Sequence, residues 1–206
     1  TGRNAPAMRT VEKVIGSNFE EIIKNTDYIL CIGEEGTNSS NSFLKYNIPV
    51  LNFYPAISNK VKFNNDWKKS RKRNHFLCFA GNGLICKGVD LVVESFLKNK
   101  DNYLHICGPL EGAFKNQYEK QINESKNINY YGFIEPGGEK FNTLASLCSY
   151  TIFHSSAEGC CTSVATAMKA GLVPVINSWT SINVLDEMNG FVLEEQGDII
   201  DDITQK

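Results

Sequence analysis

Short apolar runs rich in β-branched and aromatic residues recur along the chain, at Tyr28–Ile32, Val50–Phe53, Phe76–Phe79, Leu104–Cys107, Ile128–Tyr131, Tyr150–Phe153, Val173–Ile176 and Phe191–Leu193. Longer amphipathic stretches separate them, at Ser40–Tyr46, Gly88–Leu97, Phe114–Ser125, Lys140–Leu147 and Thr162–Ala170. Strand, helix, strand at this spacing predicts βαβ units, and such units bring successive strands together in parallel. The runs are apolar throughout rather than alternating, which suits strands covered on both faces. The fold class expected is α/β, a parallel sheet with helices on both faces.

The clearest break lies between Pro55 and Asn74, a polar stretch ending in the basic run Lys68, Lys69, Arg71, Lys72, Arg73. It divides the chain into a partial N-terminal α/β segment and hinge (1–60), a basic linker (61–74) and a larger unit (75–206). The first segment holds two strands, too few for a doubly wound domain, and reads as the last part of a domain. That predicts an uncovered apolar face, with self-association or partial disorder before about residue 55. The basic run reads as a solvated linker or exposed helix, or as a weak peripheral contact with anionic lipid through its charges and Trp67.

A chain of 206 residues can bury roughly 70% of its unfolded surface, enough for a core without staples. Its formal charge of −2 lacks the basic surplus that a nucleic-acid binder uses on phosphates, so no nucleic-acid partner is expected. The seven cysteines form no Cys-x-x-Cys pair, and several lie inside apolar runs. Such thiols act as small hydrophobes and fit a reducing cytoplasm. Neither a zinc ribbon nor a metal triad can be assembled from the sequence. No apolar stretch approaches the ~20 residues of a membrane-spanning helix. Thr1–Arg9 has no apolar signal core, and the chain opens without Met, which reads as a fragment.

In an open parallel sheet ligands bind beyond the carboxyl ends of the strands, so the loops that follow strands carry the chemistry. After Phe79 comes Ala80-Gly81-Asn82-Gly83-Leu84-Ile85-Cys86-Lys87-Gly88. Its glycines permit close backbone approach, and Lys87 stands at a helix start, where amides and a point charge can hold an anion. The plainer reading is a tight turn with a solvated lysine. The P-loop pattern Gly-x-x-x-x-Gly-Lys-Ser/Thr does not fit. Gly108-Pro109 is a bare strand exit. Gly132-Phe133-Ile134 is an apolar turn, either a wall for a flat base or a cap on the core. After Phe153 comes His154-Ser155-Ser156-Ala157-Glu158-Gly159-Cys160-Cys161-Thr162-Ser163. There Glu158 can accept two sugar hydroxyls or cap its own helix. The amides from Cys160 to Ser163 would face whatever sits at the helix start.

Taken together, these loops resemble the C-terminal, donor-binding domain of GT-B glycosyltransferases, family four in particular (glycosyl transferases group one). Phe76–Leu91 looks like that family's strand, glycine loop and Lys-Gly-x-Asp helix start. Ser155-Ser156-Ala157-Glu158-Gly159 looks like its Ser-x-x-Glu-Gly entry. Ala167-Met168-Lys169-Ala170-Gly171-Leu172-Val173-Pro174-Val175 looks like its helix end and following strand. Tyr28–Pro55 resembles the last part of the N-terminal domain before the hinge.

The resemblance implies a Rossmann-like fold and transfer of a sugar from a nucleotide diphosphate sugar to a glycan or lipid-linked acceptor, in surface polysaccharide or glycoconjugate synthesis. It implies no cofactor or metal, and a cytoplasmic enzyme that can lie peripheral to the membrane. Lys87 would contact the donor diphosphate and Glu158 the transferred sugar, as the catalytic pair. Gly81, Asn82, Gly83, Gly108 and Ser156 would bind the substrate, and backbone groups from Gly159 through Cys160, Cys161 and Thr162 to Ser163 would approach sugar and phosphate. Phe133 and Ile134 would border the base. Two positions depart from the family pattern: Asn82 stands in place of an Arg, and Thr166 in place of the second Glu that binds the ribose. Two rivals stay in view: a nucleotide-sugar epimerase or phosphorylase of the same fold, and a non-catalytic nucleotide- or glycan-binding module, which those departures favour. With so little of the opposite domain, the 206-residue chain alone is expected to transfer no sugar at a measurable rate.

Overall fold

A computed structural model describes residues 18–33, 43–54, 56–156, 158, 160–185 and 188–193. Residues 18–24 are helical and lead into a two-stranded parallel sheet of β1 (Ile29–Ile32) and β2 (Val50–Phe53). Of the stretch Ser40–Tyr46, the described part forms only a 3-10 turn at Leu44–Tyr46. Register pairs Leu30 with Leu51 and Ile32 with Phe53, and all four are exposed. One face of this small sheet is therefore apolar and open among the described residues.

The second sheet has six strands: β3 (Lys72–Phe79), β4 (Tyr103–Cys107), β5 (Ile128–Tyr130), β6 (Cys148–Phe153), β7 (Val173–Asn177) and β8 (Phe191–Leu193). Every pairing is parallel, in the order β5-β4-β3-β6-β7-β8. The crossovers include α1 (Val89–Lys98), α2 (Gly112–Glu124), α3 (Glu139–Leu147) and α4 (Thr162–Lys169). Successive side chains of a strand point to opposite faces. Along β3, Phe76 and Cys78 accordingly join Val92, Phe96 and Phe114 of α1 and α2 in one core, while Leu77 joins Phe141, Leu144 and Ala167 of α3 and α4 in the other. Burial on both faces is what the uninterrupted apolar runs required.

The basic stretch is docked more closely than a solvated linker would be. Val61 is fully buried in the second core, and Trp67–Ser70 makes one helical turn. Arg71 Nε donates to Ala145 O at 3.1 Å and Nη2 to Ala170 O at 2.7 Å, and Nη1 donates to Gly171 O. One guanidinium thus meets carbonyls just past or near the C-termini of α3 and α4, the negative ends of their dipoles. Lys72 and Arg73 open β3 itself, because a ladder of backbone bonds continues wherever side chains can reach solvent.

A polar chain crosses the second face of the sheet. His75 Nδ1 lies 2.9 Å from His105 Nε2, and His105 Nδ1 lies 2.9 Å from the Tyr131 hydroxyl. Two imidazoles that share one hydrogen cannot both be charged. Burial first, and His75 second, push His105 down from 6.5 to about 4. The unfolded chain therefore takes up this proton more readily, so stability is fully present above pH 6.5 and is lost as the pH falls toward 4. The loss at His105 should reach roughly 3 kcal/mol. Urea midpoints at pH 7 and pH 4.5 check this: the midpoint should fall in acid, and by less in His105→Gln. Equal falls in the two proteins would place the acid sensitivity elsewhere.

Candidate functional site

The strand order reverses direction between β3 and β6, and in such sheets the crevice at that point, beyond the carboxyl ends, is where ligands bind. The loop after β3 and the loop after β6 meet there. Gly88 caps α1 with a left-handed backbone, φ +64°. A Cβ at this position would sit 1.7 Å from His154 O. Ser156 completes the junction, donating to Cys86 O from its amide at 3.0 Å and from its hydroxyl at 2.7 Å. Gly108, after β4, brings a third backbone close: a Cβ there would lie 2.5 Å from Ala80 O.

Across this junction Lys87 Nζ and Glu158 Oε1 form an ion pair at 2.5 Å, with side chains only 23% and 18% exposed. The two residues picked out from separate loops of the sequence are therefore partners. Glu158 is held by the loop after β7: its amide donates to Trp179 O at 3.0 Å, and its carbonyl accepts from Ser181 Oγ at 2.6 Å. From the last residue of β7 the Asn177 side chain donates to Ser155 O at 2.8 Å. None of these β7-loop residues was singled out from the sequence, although the rule of reading every loop after a strand leads to them. Glu111 was missed as well. Its carboxylate accepts the Gly83 amide at 2.8 Å, so this part of the glycine loop already holds an anion.

A cavity of about 190 Å³ opens beside the junction. Gly81 and Gly108 form an edge, Phe133, Ile134 and Pro136 an apolar wall, and Thr162, Ser163 and Thr166 of α4 a hydroxyl-bearing wall, with Phe79 and Ala80 between them. Phe133 is largely exposed and Ile134 buried. Asn82 is exposed on the glycine loop and does not line the cavity. Gly159 lies outside the described residues.

Two expectations need correction. The amides from Cys160 to Ser163 do not all face the crevice, because the Cys161 amide donates to Thr180 O at 3.1 Å and the Cys161 side chain is buried. Ser156 uses both its donors to join the two loops, so toward a ligand its exposed hydroxyl is left only to accept. Burial pushes the Cys161 thiol up to about 12. Burial first, with the Glu158 charge, raises Cys160 as well. Neither sulfur is poised as a nucleophile. Among the described residues no group of three His, Cys, Asp or Glu side chains gathers to hold a metal ion, and no helix is long and apolar enough to cross a membrane.

Comparison with solved structures gives the same architecture. The pneumococcal O-GlcNAc transferase GtfA in complex with UDP and GlcNAc superposes with a TM-score of 0.62 at 15% identity, over 93% of this chain and 38% of that one. The lipopolysaccharide outer core galactosyltransferase WaaB gives 0.67 at 18%, over 89% and 53%. The C-terminal domain of the group 1 glycosyl transferase LpcC from Francisella tularensis gives 0.53 at 20%, over 74% and 84%. The chain thus spans about two fifths to a half of the first two. No curated protein sequence matches it. The family model for glycosyl transferases group 1 matches residues 61–203, a span that begins at buried Val61 and takes in every strand of the six-stranded sheet. The chain belongs to the group 1 glycosyl transferases.

Proposed function

We propose that the crevice between β3 and β6 is the donor site of a hexosyltransferase that moves a sugar from a nucleoside diphosphate to a glycan or lipid-linked acceptor. The observation that carries this reading is the Lys87–Glu158 pair, which joins the loops after β3 and β6. Residues 75–206 make up the donor-binding unit together with the segment 61–74 docked on it, and 1–60 contributes to the opposite domain. In the reaction the bond from the anomeric carbon to the diphosphate oxygen breaks while a bond to an acceptor hydroxyl oxygen forms, the acceptor hydroxyl gives up its proton, and negative charge gathers on the leaving diphosphate. Lys87 and the N-terminus of α4 stabilise that charge where it develops. Glu158 accepts hydroxyls of the sugar and fixes its orientation. The exposed basic side chains about Trp67 support peripheral contact with an anionic membrane. The free state of all seven cysteines supports a cytoplasmic setting, and the role belongs to surface polysaccharide or glycoconjugate synthesis.

The pair makes the roles separable. Glu158→Gln should weaken an intact sugar donor by roughly tenfold or more, by loss of a charge-assisted bond. The bare nucleoside diphosphate should bind as well or better, since Lys87 no longer has a competing carboxylate. Thr166→Ala should be mild on the sugar side. Calorimetric titration of both ligands into each variant is the test. A reversed ranking would remove Glu158 from the sugar subsite, and silence across a panel of nucleoside diphosphates would favour a binding module for another ligand.

A further inference from the structure

Glu111 stands at the start of α2 with an extended backbone, φ −138°, and its carboxylate makes no capping bond to its own helix. It turns away instead and accepts the Gly83 amide at 2.8 Å, across 28 residues of chain. The backbone that carries it is fixed on both sides. The Leu110 amide donates to the Tyr130 hydroxyl at 3.1 Å, and Glu111 O accepts the Lys115 amide at 3.2 Å. The glycine loop it reaches is held less closely. A Cβ at Gly81 or Gly83 would meet nothing within 4 Å, and Gly83 sits at φ +81°, so no neighbour wedges either residue on that side. Glycine also has the most backbone freedom to lose on being ordered. Gly83 is in turn tied to the cation of the site, because its carbonyl accepts the Lys87 amide at 3.1 Å. A single residue thus joins the Glu111 carboxylate to the backbone of Lys87, whose Nζ meets Glu158 at 2.5 Å.

Resting on the donor-site reading above, we propose that Glu111 is a positioning residue for phosphate binding: through Gly83 it holds Lys87 where that side chain can meet a diphosphate. Its part is that of a hydrogen-bond acceptor. A carboxylate near an incoming anion repels it, so the acceptor and the charge act with opposite sign and can be told apart. Glu111→Ala removes both, whereas Glu111→Gln keeps an acceptor oxygen and removes the charge. The test is calorimetric titration with UDP, ADP, GDP, CDP and dTDP, the tightest being carried through the variants, each checked for folding by its thermal transition. Glu111→Ala should weaken that ligand by about three- to tenfold, the span of one hydrogen bond, and Glu111→Gln should bind it as tightly as wild type or more tightly. Added to Lys87→Ala, Glu111→Ala should cost less than about twofold further, because a residue that acts through Lys87 has nothing left to position. Tighter or unchanged binding by Glu111→Ala overturns the proposal and makes Glu111 a competitor for the loop amide. Equal weakening by the Ala and Gln variants, or a full further loss on top of Lys87→Ala, also overturns it. Should Glu111→Ala not fold, Glu111→Asp, one methylene short of the amide, takes its place in the same cycle. If folded wild-type chain binds none of the five nucleotides, the donor-site reading itself falls, and this inference with it.

Discussion

Lys87→Ala should weaken nucleoside diphosphate binding by about 10- to 150-fold, the span of a lost charge-assisted hydrogen bond, while leaving the affinity for a nucleoside without phosphate nearly unchanged. The effect has two parts. The cation that meets the phosphates is gone, and Glu158, its partner at 2.5 Å, remains as an uncompensated carboxylate beside the incoming anion. The double variant Lys87→Ala/Glu158→Gln should therefore recover part of the loss, as groups in contact do not act additively. Calorimetry on both ligands separates this from misfolding: equal weakening of nucleoside and nucleotide would place the defect in the fold rather than in the phosphate subsite.

Gly88→Ala should cost both stability and ligand binding. The left-handed backbone at φ +64° alone penalises an L side chain by roughly 1–2 kcal/mol. The new Cβ would also meet His154 O at 1.7 Å, so the loop must lift away from the end of β6. That movement breaks the two bonds from Ser156 to Cys86 O and carries Lys87 away from Glu158. A fall in melting temperature of about 5 °C or more is expected for a domain of this size, with nucleoside diphosphate binding lost alongside. Gly83→Ala is the control, because Gly83 has φ +81° with nothing within 4 Å of its Cβ. It should show the backbone cost and no more. Similar falls in the two variants would mean that the His154 approach carries no energy of its own.

The sheet was legible because its strands are apolar on both faces, and that pattern survives reading one residue at a time. Val50–Phe53 and Phe191–Leu193 were placed to the residue. The start of β3 was not, since Lys72 and Arg73 carry charged side chains into a strand whose backbone pairs regardless. The sequence alone reads Arg71 as solvated, because nothing local shows that helix ends far along the chain gather around its guanidinium. Lys87 and Glu158 were legible as members of two loops. Their ion pair was not, because it depends on how close β3 and β6 bring those loops. Glu111, Trp179 and Ser181 stayed hidden for the same reason: each acts through a backbone amide or carbonyl, which any residue type could supply.

The bonds made by Arg71 reach across 74, 99 and 100 residues of chain. Closing loops that long is entropically costly, so bonds of this kind are expected to form late, once the intervening strands have assembled. Interactions absent from the folding transition state leave the rate of folding almost untouched and act by slowing escape from the native state. The expectation is that one cation in the basic run acts as a late-closing latch, setting how long this domain persists once made rather than how quickly it forms.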